Sequence, residues 1–295
     1  MSWRTWIAFF ALGIIWGLPY FLIKIALLDL APAEVAWGRI TIGALILLPL
    51  AWRRGALRTL RAHWGAVFAF AFAELVAPFS LIALGETWIS SSLAGILLAT
   101  LPLTVILLAP LFGLREPLGR RRILGLGIGF AGVVILLGIG SVQGLMAWVG
   151  VGCMIFATIG YASAALIVQR YLKGVDELGA LAMSLAIASV VLLPVAALTA
   201  PHHPPPLSAL VCIAVLGVVC TAIPLQLYFY LINRAGAART AVITYINPAV
   251  ATLLGVGILH EPFGLGPALG LILILLGSWL GTHHADVPAA QLEST

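Results

Sequence analysis

The sequence predicts an all-α, polytopic membrane protein: ten transmembrane helices in two inverted five-helix repeats, with both termini cytoplasmic. Three observations predict it. The chain of 295 residues is 62% hydrophobic and only 8% charged, with a mean hydropathy of +1.15. A soluble domain carries roughly a quarter charged residues, so this surface could not hold the chain in water. Apolar runs near the ~20 residues that a bilayer core requires recur along the whole length. Finally, one charged break, LREPLG at 114–119, returns as LHEPFG at 259–264.

The apolar runs cover 5–26, 33–52, 64–85, 90–113, 122–140, 147–169, 178–199, 207–232, 240–260 and 264–282. The first follows Arg4 and precedes APA at 31–33, as a secretory leader would. A leader's apolar core is roughly 7–15 residues. This run continues to Leu28 and its character persists to residue 282, so it is read as a retained helix. The breaks hold Pro, Gly and charge: DLAPAE (29–34), RRGALRTLRAH (53–63), LKGVDE (172–177) and APHHPPPLS (200–208). None is long enough to fold as a domain. Cys153, Cys212 and Cys220 sit within apolar runs, without metal or disulfide spacing, and read as packing residues.

Lys and Arg set the orientation. With the N-terminus inside, the inner segments hold Arg4, then Arg53, Arg54, Arg58 and Arg61, then Arg115 and Arg120 to Arg122. They continue with Arg170 and Lys173, then Arg234 and Arg239, in all 13 of the 15 basic residues. The outer loops hold Asp29, Glu34, Glu86, His202, His203 and Glu261, with no Lys or Arg.

Counted from Glu116, Pro117 lies at +1, Gly119 at +3, Gly125 at +9 and Gly132 at +16; from Glu261 the same offsets give Pro262, Gly264, Gly270 and Gly277. Pro102 and Pro248 precede the two marks by 14 and 13 residues. The chain therefore divides into a first repeat, 1–142, and a second, 143–295, joined near SVQGLMAW (141–148). Five helices per repeat is odd, so the halves enter the membrane from opposite faces. One Glu-Pro break lies at each rim, about 30 Å apart. Inverted repeats of this kind build secondary transporters, which rock one half against the other around a site near the midplane.

The order of IIWGLPYFLIKIAL (14–27), WGR (37–39), ALGETWISSSLAGIL (83–97), TLP (100–102), LREPLG, RAGAARTAVITYINPAVATLLG (234–255) and LHEPFG resembles the EamA family of the drug/metabolite transporter superfamily. The likeness spans nearly all of 5–282. It implies ten helices, alternating access and export of small metabolites, and is similar to the YddG type of aromatic and neutral amino-acid exporter. His260 departs from the small residue common before the family's Glu.

Charge inside a membrane is costly and marks function by default. Glu74 lies midway along the third run, where it can meet a substrate ammonium, carry a coupling proton or partner Arg39. Arg39 lies about 9 Å deep at 1.5 Å per residue. Its guanidinium can bind a substrate carboxylate, or hold helices through backbone carbonyls, Glu34 or Glu86. Lys24, near the outer end of the first helix, reads as snorkelling to the interface. The candidate pocket adds Trp16, Tyr20, Phe79, Thr100, Tyr161, Gln226, Tyr230, Tyr245 and Asn247. Pro78, Pro102 and Pro248, with Pro19 and Pro224, interrupt these helices and free carbonyls that must face protein or a cavity. Glu116 and Glu261 read as caps on the helices that follow them, or as gates.

GLGIGFAG (125–132) fits G-x-G-x-x-G, but the dinucleotide fingerprint needs a strand before it, and this stretch lies inside an apolar helix. Gly125 with Gly129, and Gly266 with Gly270, have instead the four-residue spacing of close-packed membrane helices. They predict packing of the fifth helix on the tenth, or a dimer contact. No Walker motif, H-E-x-x-H or G-x-S-x-G occurs. The expectation is therefore no catalytic residue, no metal and no cofactor. The expected partners are a small-molecule substrate and the lipid bilayer of the bacterial inner membrane, without nucleic acid. Proton coupling, and monomer against homodimer, stay open, as do a multidrug or other metabolite exporter, an uncoupled facilitator and an intramembrane enzyme.

Overall fold

The computed structural model describes residues 3–114, 119–138, 142–201, 203–224, 227 and 245–282. Glu116, Gln226 and Tyr230 lie outside the described residues. All regular structure among the described residues is helical. The segments are α1 (Trp3–Ala26), α2 (Pro32–Arg53), α3 (Trp64–Gly85), α4 (Ser91–Phe112), α5 (Arg120–Gly138), α6 (Leu145–Tyr171), α7 (Glu177–Leu198), α8 (Leu207–Ala222), α9 (Asn247–Gly257) and α10 (Leu265–Thr282). The ends of α1 to α7 and of α10 agree with the apolar runs to within a few residues; of the eighth and ninth runs, 225–226 and 228–244 lie outside the described residues. Among the described residues, seven (α1 to α7) are long and apolar enough to cross a membrane; α8 and α10 are shorter and apolar.

Local chemistry sets the helix ends. Pro32 opens α2, and the Glu34 carboxylate accepts from the Ala31 N–H at 2.7 Å, closing the first turn. Asp176 caps α7, accepting from the Gly179 N–H at 2.9 Å.

Two segments contain π turns. In α3 the helix widens over Ala71–Val76, and in α8 over Val218–Ala222. Each turn ends two residues before a proline, Pro78 and Pro224. A proline ring collides with the carbonyl four residues earlier and offers that carbonyl no N–H. One extra residue in the preceding turn accommodates both faults. In α4 the outcome is a break: helix runs over Ser91–Leu98, turns at Ala99 and Thr100, and resumes at Leu101 with Pro102 in its first turn. Side chains bond to carbonyls at the break. Thr100 Oγ1 donates to the Leu97 carbonyl at 2.6 Å, and Ser278 Oγ, from α10, donates to that of Ala99 at 3.3 Å.

Contacts between the two parts of the chain come in exchanged pairs. α1 packs on α9 as α6 packs on α4; α1 packs on α8 as α6 packs on α3; α2 packs on α8 as α7 packs on α3. α2 meets its own counterpart α7, held by Trp37 Nε1 donating to the Ser189 carbonyl (3.1 Å) and by Thr41 Oγ1 against Ser189 Oγ (2.7 Å). Between them lies a core of Ile40, Ala44, Leu47, Leu185 and Ala188.

α4 likewise packs on its counterpart α9, and α5 meets α10 in a glycine seam. A β-carbon at Gly125 would lie 2.7 Å from the Gly277 carbonyl oxygen, and one at Gly132 would lie 3.0 Å from that of Gly270. Early residues of one helix meet late residues of the other, so the two run antiparallel. This is the predicted packing of the fifth helix on the tenth, with Gly277 and Gly281 carrying more of it than the four-residue spacing suggested.

Candidate functional site

Arg39 lies on the buried face of α2 with Val35, Ala36, Ile40 and Gly43, and is 5% exposed. Of the carboxylates weighed for it from sequence, Glu86 lies within electrostatic range and neither is its hydrogen-bond partner. Glu34 is engaged at its own helix start, and the guanidinium lies over Phe79 of α3, Cζ 3.9 Å from the ring centroid. Such a contact gains strength where water is excluded. Arg39 Nη2 donates to Thr221 Oγ1, on the π turn of α8, at 3.4 Å. The Thr221 hydroxyl itself donates to the Leu216 carbonyl at 2.8 Å. Arg39 Nε is buried without a hydrogen-bond partner among the described residues.

Tyr20 of α1, Tyr161 of α6 and Cys220 of α8 lie in electrostatic contact with Arg39. Tyr161 is also in electrostatic contact with Glu74, which the π turn of α3 carries. The fold thus gathers Tyr20, Arg39, Glu74, Phe79 and Tyr161 from α1, α2, α3 and α6, beside α8. The π turns, unread in the sequence, carry Glu74 beside Tyr161 and Thr221 beside Arg39.

Other expected pocket residues are elsewhere. Trp16 packs with Phe9, Leu12 and Ile246 where α1 meets α9. Tyr245 and Asn247 stand at the start of α9; the Asn247 carbonyl oxygen lies 2.9 Å from where a β-carbon on Gly17 would sit. The Thr100 hydroxyl serves the break in α4. Pro78 packs against Gly160 of α6, and Pro248 is buried in the first turn of α9.

Glu261 does not cap the helix that follows it. Its carboxylate crosses to the start of α4, accepting the Ser91 N–H at 2.7 Å on Oε1, and the Ser92 N–H at 2.9 Å and hydroxyl at 2.5 Å on Oε2. Ser90 Oγ accepts a further N–H, from Leu93, at 3.2 Å. The opposite expectation rested on chain proximity, but four free N–H groups at any helix start attract an anion. The run Ser90-Ser91-Ser92 was the available signal. His260 makes the geometry: its φ of 54° lies in the left-handed region and turns the chain so that Glu261 faces α4. Gly255 makes the space, since a β-carbon there would strike Glu261 and lie 2.8 Å from Ser91 Oγ.

Lys24 corrects a second expectation. Its Nζ does not reach for the interface but donates to the backbone carbonyls of Glu86 at 2.5 Å and Ile89 at 2.7 Å. Glu86, expected in an outer loop, closes α3 and is fully buried; neither carboxylate oxygen has a hydrogen-bond partner among the described residues. No three His, Cys, Asp or Glu side chains among the described residues are arranged to hold a metal ion.

Comparisons place this architecture among known proteins. A solved crystal structure superposes with a TM-score of 0.68 at 20% identity over 100% of both chains, a likeness of fold. The uncharacterized inner membrane transporter YedA of Escherichia coli K12 is 29% identical, covering 92% of this chain and 91% of its own length. The uncharacterized transporter YvbV of Bacillus subtilis is 25% identical over 92% of this chain and 89% of its own. The EamA-like transporter family matches twice, at residues 3–138 and 148–282. With nearly its whole length so matched, the chain belongs to the EamA-like transporter family and is a multi-pass membrane transporter.

Proposed function

We propose that this protein is a secondary exporter of small metabolites, aromatic and neutral amino acids first among them. It works by alternating access between two inverted five-helix halves, 1–142 and 143–295, with ten crossings and both termini cytoplasmic. Its place is the bacterial inner membrane, as in the name of the Escherichia coli relative. The observation that carries the substrate class is Arg39, buried over Phe79 with Nε unpartnered, with Tyr20 and Tyr161 within electrostatic range of it and Glu74 within range of Tyr161. A buried cation with an unused donor suits a carboxylate. Glu74 suits an ammonium, and the three aromatic rings suit an apolar or aromatic side chain.

Three features support the inverted arrangement: the family matches each half, inter-half contacts come in exchanged pairs, and α5 runs antiparallel to its counterpart α10. A reporter fused to the C-terminus should be active only inside the cell.

The test is transport by purified protein in liposomes, offered a panel of amino acids and cationic drugs with and without a pH gradient. Transport of aromatic and neutral amino acids, lost in Arg39→Ala, supports the reading. Transport confined to cationic drugs replaces it with a multidrug exporter. Indifference to the gradient makes the protein a facilitator.

A further inference from the structure

Glu86 is a buried acid in a setting where ionisation is unfavourable. An isolated carboxylate taken from water costs several kcal/mol unless it is paired and hydrogen-bonded, and neither Glu86 oxygen has such a bond. The groups facing it do not supply one. From α1, the Lys24 ammonium is committed to two backbone carbonyls, and Tyr20 lies within electrostatic range. From α2, Arg39 is turned to Phe79 and Thr221. From the turn before α10, the Glu261 carboxylate adds negative charge. From α6, Cys153 packs against Gly85, the residue before Glu86.

We propose that Glu86 is a proton-binding site of this transporter, holding a proton while Glu261 is docked on α4 and exchanging it with water when that docked end opens. On opening, the O–H proton passes to water, and Lys24, released from the carbonyls, becomes the partner of the resulting carboxylate. Burial raises the Glu86 carboxyl well above the usual carboxylate range; Lys24 opposes this, Glu261 reinforces it and Arg39 opposes it more weakly. The site assigns the coupling ion of the transport reading above and rests on that reading for its purpose alone. Whether Glu86 binds a proton is a property of the chain itself.

The experiment is infrared difference spectroscopy of the full-length protein in lipid, titrated with pH as the only probe. The wild type should show a protonated-carboxyl stretch that persists above neutral pH. Recorded in a Glu74→Gln background, which removes the other buried acid, that band should vanish in Glu86→Gln, remain in Glu86→Asp, and titrate at higher pH in Lys24→Met. Glutamine has the shape of a protonated glutamate, so Glu86→Gln should also fold as the wild type does. A band unchanged in Glu86→Gln, no such band in the wild type, or a Glu86→Gln chain that does not fold would each overturn the proposal. In liposomes carrying the amino-acid panel, Glu86→Gln should keep substrate exchange and lose acceleration by the pH gradient; retained acceleration also overturns it. Absence of transport by the wild type would sink the transport reading and leave the infrared result standing.

Discussion

The Glu261 carboxylate, near the end of the chain, is held by the backbone and hydroxyl of Ser92, 169 residues earlier. Ser91 donates its N–H to the other oxygen of the same carboxylate. A helix start in one half thus receives its capping anion from the other. Removing the anion should release the α4 start without unfolding α10. Glu261→Ala is expected to cost about 2–3 kcal/mol, the loss of charge-assisted hydrogen bonds at a helix N-terminus. Thermal melting in detergent would measure it, and a change below about 0.5 kcal/mol would reduce the contact to surface decoration. Unchanged transport in Glu261→Ala would leave this carboxylate a cap and nothing more.

The seam of α5 and α10 tolerates nothing larger than glycine. A β-carbon at Gly125 would lie 2.5 Å from the Gly281 nitrogen, and backbone cannot yield as a flexible side chain does. Gly125→Val should therefore destabilise by more than about 2 kcal/mol and reduce the yield of folded protein. Gly127→Val is the control: a β-carbon at Gly127 meets no heavy atom within 4 Å. Equal melting temperatures for the two variants would contradict the packing.

Arg39 and Phe79 should act as a pair. Arg39→Lys keeps the charge but replaces the planar guanidinium that stacks on the ring. It should lose most transport while inserting normally, and Phe79→Leu should lose part of it. Full activity in Arg39→Lys would show that charge alone suffices.

Glu74 sits where the π turn presents it to Tyr161. Glu74→Gln is expected to insert at wild-type levels and to lose transport. Full transport at every pH tested would remove Glu74 from the mechanism.

Glu86 gives the docked end a pH dependence of known sign. Its folded-state value lies above its unfolded one, so the stability it contributes is fully present below the unfolded value. That contribution is lost as pH rises through the raised folded value. Amide exchange at Ser91 and Ser92, corrected for intrinsic rate, should speed up across that range in the wild type and stay level in Glu86→Gln. The same rise in both proteins would point to another group.

The amino-acid sequence by itself determined the helices, because a bilayer asks for one property, about 20 consecutive apolar residues, that composition reports directly. It carried the charge bias and the recurring Glu-Pro and glycine spacing for a similar reason, since Arg53 or Gly277 is read by position alone. It also placed Gly125 and Gly129 on a packing face, because their spacing belongs to a single helix. Only the tertiary structure decided which partner each polar group takes. Glu261 has its neighbours across the bundle, Lys24 has carbonyls of another segment, Arg39 has a ring and a hydroxyl, and the Glu86 carboxylate has no hydrogen-bond partner among the described residues. The free energy of a buried charge depends on whatever lies within a few ångströms of it, and chain folding brings those groups from distant positions. The π turns before Pro78 and Pro224 lie between the two cases: the prolines announce a fault, and packing on neighbouring helices selects a wide turn there and a break before Pro102.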